Sequence, residues 1–384
     1  MLQSRLCEQL WMHVCEPFPA KRARTFMRTL NSAEWRGFIP FSARLPLPYV
    51  RVNAKDSELY HTGMIRKMVH EVIRGHCHKS VELQGDELPA TLQRRGHLPV
   101  CPTLMVNIDG NECEVLANAS GDLCERPWTS ASAVDARISP SAVSAIAHRI
   151  EILDRIAENR ITTIWDPLCH NGALLLELHS FLRGHRARAI DHVYPLNNFP
   201  LNSRGVFENA LDSPVGRAYT GPQLRLLGTD VLQGHLADAS ACLEQYRNFD
   251  LHGATDKRGG CDDGGKAPPK VDVANALPTT ATDACPVSLT FSSDSLSEVD
   301  LDSKSTLILT NMYYGDKGRR KEFLDAHRRF EAFLARAPRQ LLQNVYVVAT
   351  ENIRKLSKFT WEPELRFNNG GVLVSLLKLR GTKV

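Results

Sequence analysis

At 384 residues the chain exceeds what one ordinary hydrophobic core organises, and its 43% hydrophobic content is enough for two. The net charge of +4 and the pI near 8.5 permit nucleic-acid binding without demanding it, because such binding depends on a local basic face. No apolar run is long enough to cross a bilayer, and ten cysteines scattered without a framework argue against a disulfide-stapled secreted domain. Free thiols in a reducing compartment are expected, the cytoplasm first and the mitochondrion as the alternative.

In chain order, residues 1–38 alternate apolar and basic positions at helical spacing. Arg5, Lys21, Arg22, Arg24 and Arg28 give this stretch the look of an import signal, which Glu8 and Glu16 interrupt. A strand is predicted at Leu45–Val52 after a proline-rich lead, then an amphipathic helix at Met64–Gly75 with Asp56 or Ser57 as its entry cap. Strands at Thr103–Ile108 and Glu114–Ala119 flank Asp109-Gly110-Asn111, a strong hairpin signal. Strand, helix, strand, strand makes residues 1–126 an α+β module, and 127–140, rich in Ser, Ala and Pro, a linker. The polar loop residues Ser57, His61, Thr62 and Arg126, joined by Arg94 and Arg95, suit phosphate and sugar contacts that hold an RNA in register. His61 and Arg126 serve equally well as caps or bridges within the module.

Metal-ligating residue types cluster at His76-Cys77-His78 and at Cys169-His170. Adjacent residues rarely converge on one ion and no second pair completes four-coordination, so no metal is expected.

The second half reads as α/β over 141–384. A helix is predicted at Ser141–Ile156. Thr163 to Glu177 then reads as a strand, a tight acidic turn at Asp166 and a helix start. Leu224–Asp230 is an apolar run ending in an acid, and Thr306–Gly315 an apolar run ending in an amide, two tyrosines and a glycine. In an open α/β sheet such strand ends face one crevice, where ligands bind. Residues from about 250 to 303, rich in Gly, Asp, Ser, Thr and Pro, read as a disordered surface insertion. Arg319, Arg320 and Lys321, with Arg328 and Arg329 further along the basic helix Phe323–Ala337, suit a phosphate backbone or form a solvated helix face. A buried strand at Leu341–Thr350 and a hairpin turning at Asn369-Gly370 close the chain.

Five words in this order carry a resemblance. Asp166, Pro167, Cys169 and Gly172 meet D-P-x-C-G-S-G-T, and Asn311, Tyr314 and Gly315 meet N-P-P-Y-G. Ser57 to Gly63 and Ala119 to Arg126 look like THUMP signatures, and Phe367 to Gly371 like a terminal hairpin word. The chain resembles the THUMP-containing S-adenosylmethionine-dependent RNA (guanine-N2) methyltransferases. The resemblance implies a ferredoxin-like plus THUMP module followed by a Rossmann-like class I methyltransferase domain, acting on rRNA or tRNA with ribosome-assembly proteins as further partners. With a sulfonium donor of this kind, Asp166 with Gly172 suits the amino-acid end, Asp230 the ribose and Asp272 the adenine amine, and the resemblance adds Cys169 to the cofactor site. Asn311, touching both cofactor and base, and Tyr314, stacking on the base, would be catalytic.

The chain departs from the pattern at His170, which replaces a glycine, and at Met312 and Tyr313, which replace two prolines. A second reading therefore stays open, an RNA-binding or ribosome-assembly protein that keeps the fold without catalysis.

Overall fold

Alternating burial builds the first sheet. The computed structural model describes residues 4–39, 47–81, 102–121, 138–185, 194–202, 219–255, 286–294, 296, 298–312 and 320–383. The chain divides into two units, Met1–Cys124 with Arg188–Pro214, and Glu125–Ala187 with Val215–Val384.

In the first unit Trp11–His13 (β1), Phe18–Pro19 (β2), Val50–Lys55 (β3), Leu104–Asp109 (β4) and Glu112–Asn118 (β5) form one sheet. Its order is β1-β5-β4-β3, with β2 also on β5. Leu104, Val106 and Ile108 of β4 face one side, as period-two alternation requires, and pack there with Phe26 and Leu30 of Ala23–Ser32 (α1) and Ile65, Val69 and Ile73 of Thr62–Val81 (α2). The helical reading of residues 1–38 holds for α1 and for a short 3-10 turn at Trp35–Gly37. Pro17 and Pro19, which carry no N–H to donate, sit in the stretch that becomes strand instead. The hairpin turn falls on Gly110 and Asn111, both at positive φ (55° and 72°), one residue beyond the Asp-Gly pair.

The second unit opens with Pro140–Arg149 (α3) and Ile152–Ala157 (α4). The single helix expected over Ser141–Ile156 is broken at Glu151, whose φ of 53° lies in the left-handed region. Thr163–Asp166 (β6), Ala173–Leu182 (α5), Leu224–Thr229 (β7), Gln233–Thr255 (α6), Val287–Ser292 (β8), Thr306–Asn311 (β9) and Arg320–Leu334 (α7) follow. Then come Arg339–Leu342 (α8), Val345–Ala349 (β10), Asn352–Leu356 (α9), Phe359–Asn369 (β11) and Val372–Thr382 (β12). Leu341 and Leu342 belong to α8, so the strand expected from Leu341 begins only at Val345.

The sheet order is β11-β12-β10-β9-β6-β7-β8. Strands β8, β7, β6, β9 and β10 run parallel, whereas β12 is antiparallel to both neighbours. All six residues of β9 and all five of β10 are buried, the mark of parallel strands covered on both faces. One face packs Ile164, Leu226 and Leu307 under α3 and α5, and the other packs Trp165, Ile308 and Phe330.

Strand β8 corrects the reading of 250–303 as an insertion, as does α6, which runs to Thr255. β8 lies at the edge of the sheet, so Ser288 and Thr290 face solvent while Leu289 and Phe291 pack inward. Half its residues are polar for that reason, and its composition blends with the polar stretch before it. Among the described residues no helix is long and apolar enough to cross a membrane. Cys7, Cys15, Cys113, Cys169 and Cys242 are free thiols.

The Phe291 ring abuts two glycines. A Cβ at Gly228 would sit 2.5 Å from Phe291 Cδ1 and 2.9 Å from Cys169 Cβ, and one at Gly172 would also strike that ring. Gly228→Ala should therefore destabilise the chain by about 1–3 kcal/mol, the usual cost of overpacking. Adding Phe291→Leu should recover part of that loss in chemical denaturation. Additive effects of the two substitutions would show that the ring is not what constrains Gly228.

Candidate active site

The order of the sheet reverses around β6, which has β7 on one side and β9 on the other. A crevice at the carboxyl ends of these strands is where open α/β sheets place ligands. Asp166 ends β6, Asp230 follows β7 and Asn311 ends β9. All three are buried, at 1%, 3% and 3% exposure, so the fold brings the expected residues to one edge.

The turn between β6 and α5 is fastened largely to itself and to β7. Leu168 N–H donates to Asp166 Oδ1 (3.2 Å), Cys169 N–H to Thr229 O (3.1 Å) and His170 N–H to Asp230 Oδ2 (3.1 Å). Gly172 N–H donates to Cys169 O (2.7 Å) and Ala173 N–H to Asn171 Oδ1 (3.2 Å). Gly172 caps α5 at φ 74°, a conformation that costs glycine nothing. Its missing Cβ makes room for the Phe291 ring.

His170 holds φ 49°, sparsely populated for a residue with a Cβ. Its imidazole is buried, 3.8 Å through Nδ1 from Asp230 Oδ2, edge-on to His235 at 5.1 Å, and beside the backbone of Asn311. It thus spans the end of β6 from the β7 side to the β9 side. Burial lowers its pKa to about 4, against the pull of Asp230, so the ring is neutral at physiological pH.

The two acids differ. Burial pushes Asp166 up to about 7, with the Thr310 hydroxyl and Leu168 N–H drawing it back and Asp230 adding to the rise. Burial also pushes Asp230 up, but the His235 hydrogen bond, Leu232 N–H and the nearby imidazoles outweigh it and hold its carboxyl below the ordinary range. His235 Nδ1 lies 3.0 Å from Asp230 Oδ2, and Leu232 N–H donates to Oδ1 at 2.9 Å.

The remaining expected residues divide. Cys169 is buried beside both acids, and burial drives its thiol well above the usual range, so it packs as a neutral group. Met312 is a core residue with Trp165, Leu168 and Phe330. Asp272, Tyr313, Tyr314, Arg94, Arg95, Arg126 and Arg319 lie outside the described residues, as does the side chain of Arg320. In the first unit Ser57 Oγ donates to Lys55 O (2.6 Å) and accepts Asn111 N–H (3.1 Å), tying the loop after β3 to the β4–β5 turn. Exposed His61 stacks on Tyr60, ring centroids 4.6 Å apart, just before Thr62 opens α2.

Sequence reading missed three residues. His235 stands five positions after Asp230, and only the helical turn of α6 brings it back to that acid. Asp294, after the end of β8, accepts from Ser292 Oγ and was hidden inside the supposed insertion. Asn171, two residues before α5 begins, was not singled out in the sequence, and its buried Nδ2 has no hydrogen-bond partner among the described residues.

No family model and no curated protein matches the chain. Solved structures do. A possible methylase from Clostridium difficile 630 aligns with TM-score 0.64 and 11% identity over 100% of this chain and 87% of that one. A protein from Listeria monocytogenes str. 4b F2365, assigned as an N6-adenine-specific DNA methylase, gives 0.64 and 14% over 98% and 83%. SMU.472, assigned as a methyltransferase and solved in complex with SAH, gives 0.62 and 15% over 100% and 88%. The fold is that of the class I methyltransferases.

Asp166 yields a pH prediction. Its carboxyl keeps a proton in the folded chain up to about pH 7, whereas unfolded it releases one near pH 4. The stability this contributes is complete below the unfolded pKa and is lost as pH rises through the folded one. Asp166→Asn keeps the acceptor for Leu168 N–H and removes the ionisation. Thermal melts should show wild type losing more stability than this variant between about pH 5 and pH 8; parallel curves would contradict the assignment.

Proposed function

We propose that this chain is an S-adenosylmethionine-dependent methyltransferase acting on nucleic acid, and more narrowly on the exocyclic N2 of a guanine in rRNA or tRNA. The observation that carries the proposal is the meeting of Asp166, Asn171 and Asn311 at the switch point of a class I sheet. One solved structure of like fold contains SAH, and another is assigned as a DNA methylase acting on an exocyclic amine of adenine.

The donor set fits the amino-acid end of the cofactor. The buried Asn171 Nδ2 offers a donor for a carboxylate, and Asp166 offers a carboxylate for an ammonium group, whose charge would lower the raised pKa of this acid. Asp230 would accept ribose hydroxyls in place of His235. Asp272 remains the candidate for the adenine amine, and Asp294, just beyond the end of the strand beside β7, is a second acid that would serve there. The cofactor supplies an electrophilic methyl group on a sulfonium.

The chain's part in the chemistry is positioning. A guanine amine is a weak nucleophile because its lone pair is delocalised into the ring. Acceptors at the Asn311 side chain and the Met312 carbonyl would hold both amine hydrogens and turn that lone pair toward the methyl group. Proximity then supplies most of the rate, and no base of unusual pKa is required. Tyr314 would stack on the base, worth about 1–3 kcal/mol. RNA contacts are assigned to Ser57, His61, Thr62, Arg126, Arg319 and Arg320 in a THUMP-like module and beside the base pocket. The exposed Tyr60–His61 stack supports the first of these sites, while the internal hydrogen bonds of Ser57 give that residue a bracing role.

One observation favours the second reading, an RNA-holding protein without catalysis. The His170 imidazole lies across the end of β6, and Asp230 already accepts from three donors. Calorimetry with S-adenosylmethionine separates the two: binding in the micromolar range supports the enzyme, and no binding at millimolar cofactor supports the scaffold. In an RNA methylation assay Asn311→Ala should lower the rate by about a hundredfold or more, since misplacing reacting groups costs that much. A variant that methylates at the wild-type rate refutes the role given to Asn311.

A further inference from the structure

We propose that His170, Asp230 and His235 form a binding site for one divalent transition-metal ion of the zinc type. The site lies at the same sheet edge as the proposed cofactor pocket and goes beyond that reading, which needs no metal.

The fold gathers ligand atoms from three places in the sequence. One donor atom from each of the three residues lies within 4.8 Å of the others. Asp230 Oδ2 is 3.0 Å from His235 Nδ1 and 3.8 Å from His170 Nδ1. Zinc holds such atoms at about 2.0–2.2 Å in a tetrahedron, so ligand atoms sharing an ion stand roughly 3.3 Å apart. The measured separations bracket that value, and closing around an ion needs only small side-chain shifts.

The donor chemistry selects the ion. Two imidazoles and one carboxylate suit zinc or ferrous iron, whereas magnesium and calcium want oxygen alone. Three protein ligands leave a position open, the pattern of reactive rather than purely structural zinc. His235 now shares the hydrogen at Nδ1 with Asp230. Ligation through that nitrogen requires a proton on Nε2 instead, a change of tautomer.

The surroundings brace the ligands as metal sites require. Leu232 N–H and His170 N–H fix the carboxylate through Oδ1 and Oδ2. His170 holds a left-handed backbone at φ 49°, strain of the kind that persists at functional positions, and that conformation accompanies a ring set beside Asp230. The side chains are 7%, 4% and 12% exposed, so the attraction between ion and carboxylate is little screened.

The test uses the full-length chain, free of any tag and stripped with a chelator, titrated with Co2+ alone. Visible d–d bands should appear and saturate at one ion per chain, and Zn2+ should abolish them. His235→Ala should weaken binding by at least roughly a hundredfold, because partners one step removed from a metal are already worth 10–100-fold. His235→Gln keeps a donor for Asp230 while losing the imidazole, and should show the same loss where the alanine variant unfolds. Absence of saturable cobalt binding in wild type, or equal binding by a folded His235 variant, overturns the proposal. Calorimetry with S-adenosylmethionine on the metal-free chain reads the methyltransferase proposal separately. Cobalt binding without cofactor binding leaves the metal site standing and sinks the enzyme, and the converse result does the reverse.

Discussion

The Asp230 carboxylate organises the carboxyl edge of the second unit. At 3% exposure it cannot keep its hydration, and a buried charge left unanswered is among the costliest features a fold can carry. Three donors answer it: His170 N–H from the turn after β6, Leu232 N–H from its own turn, and His235 from α6. Three chain segments are thereby fixed to one group. The turn holding Asp166, Cys169, His170 and Asn171 takes its position from that anchor, together with the bond from Cys169 N–H to Thr229. The same carboxylate sets the charge at this edge. Burial pushes Asp166 and Asp230 the same way, but only Asp230 has enough partners to stay ionised below the ordinary range. Negative charge at the edge is therefore concentrated on the acid that two imidazoles surround.

The fold was legible in the sequence wherever a strand carries its burial pattern in its own residues. Strands β6, β7 and β9 announced themselves as apolar runs ending in polar groups, because parallel strands covered on both faces need little polarity until their ends. Strand β8 did not, because as an edge strand it turns Ser288 and Thr290 to solvent and borrows its apolar half from packing on α5 and α6. With that strand unread, Asp294 just beyond its end was not weighed as a candidate beside Asp272. At the N-terminus the alternation of basic and apolar residues suited a helix, and the two prolines beside Phe18 limited that helix to residues 23–32. The break at Glu151 had no glycine or proline to mark it.

The site was legible as a set of strand ends and illegible as a set of contacts. Asp166, Asp230 and Asn311 could each be named because their strands could be counted. That His170 would lie between Asp230 and the Asn311 backbone, and that His235 would return to the same acid, follows only from the three-dimensional path of the turn and of α6. Histidines at 170 and 235 are 65 positions apart, so no spacing rule for metal ligands relates them.

A glycine at position 170 would adopt the same left-handed backbone without strain, while a side chain there costs about 1 kcal/mol or more. The chain holds that conformation with an imidazole and fixes its N–H to Asp230. Burial opposes charge on the ring more strongly than Asp230 supports it. One ligand atom each from His170, Asp230 and His235 lies within 4.8 Å of the others, close enough for side-chain shifts to bring all three to one cation. The left-handed backbone at His170 sets its ring beside the carboxylate, so an ion held there and a ribose hydroxyl would compete for the same oxygen.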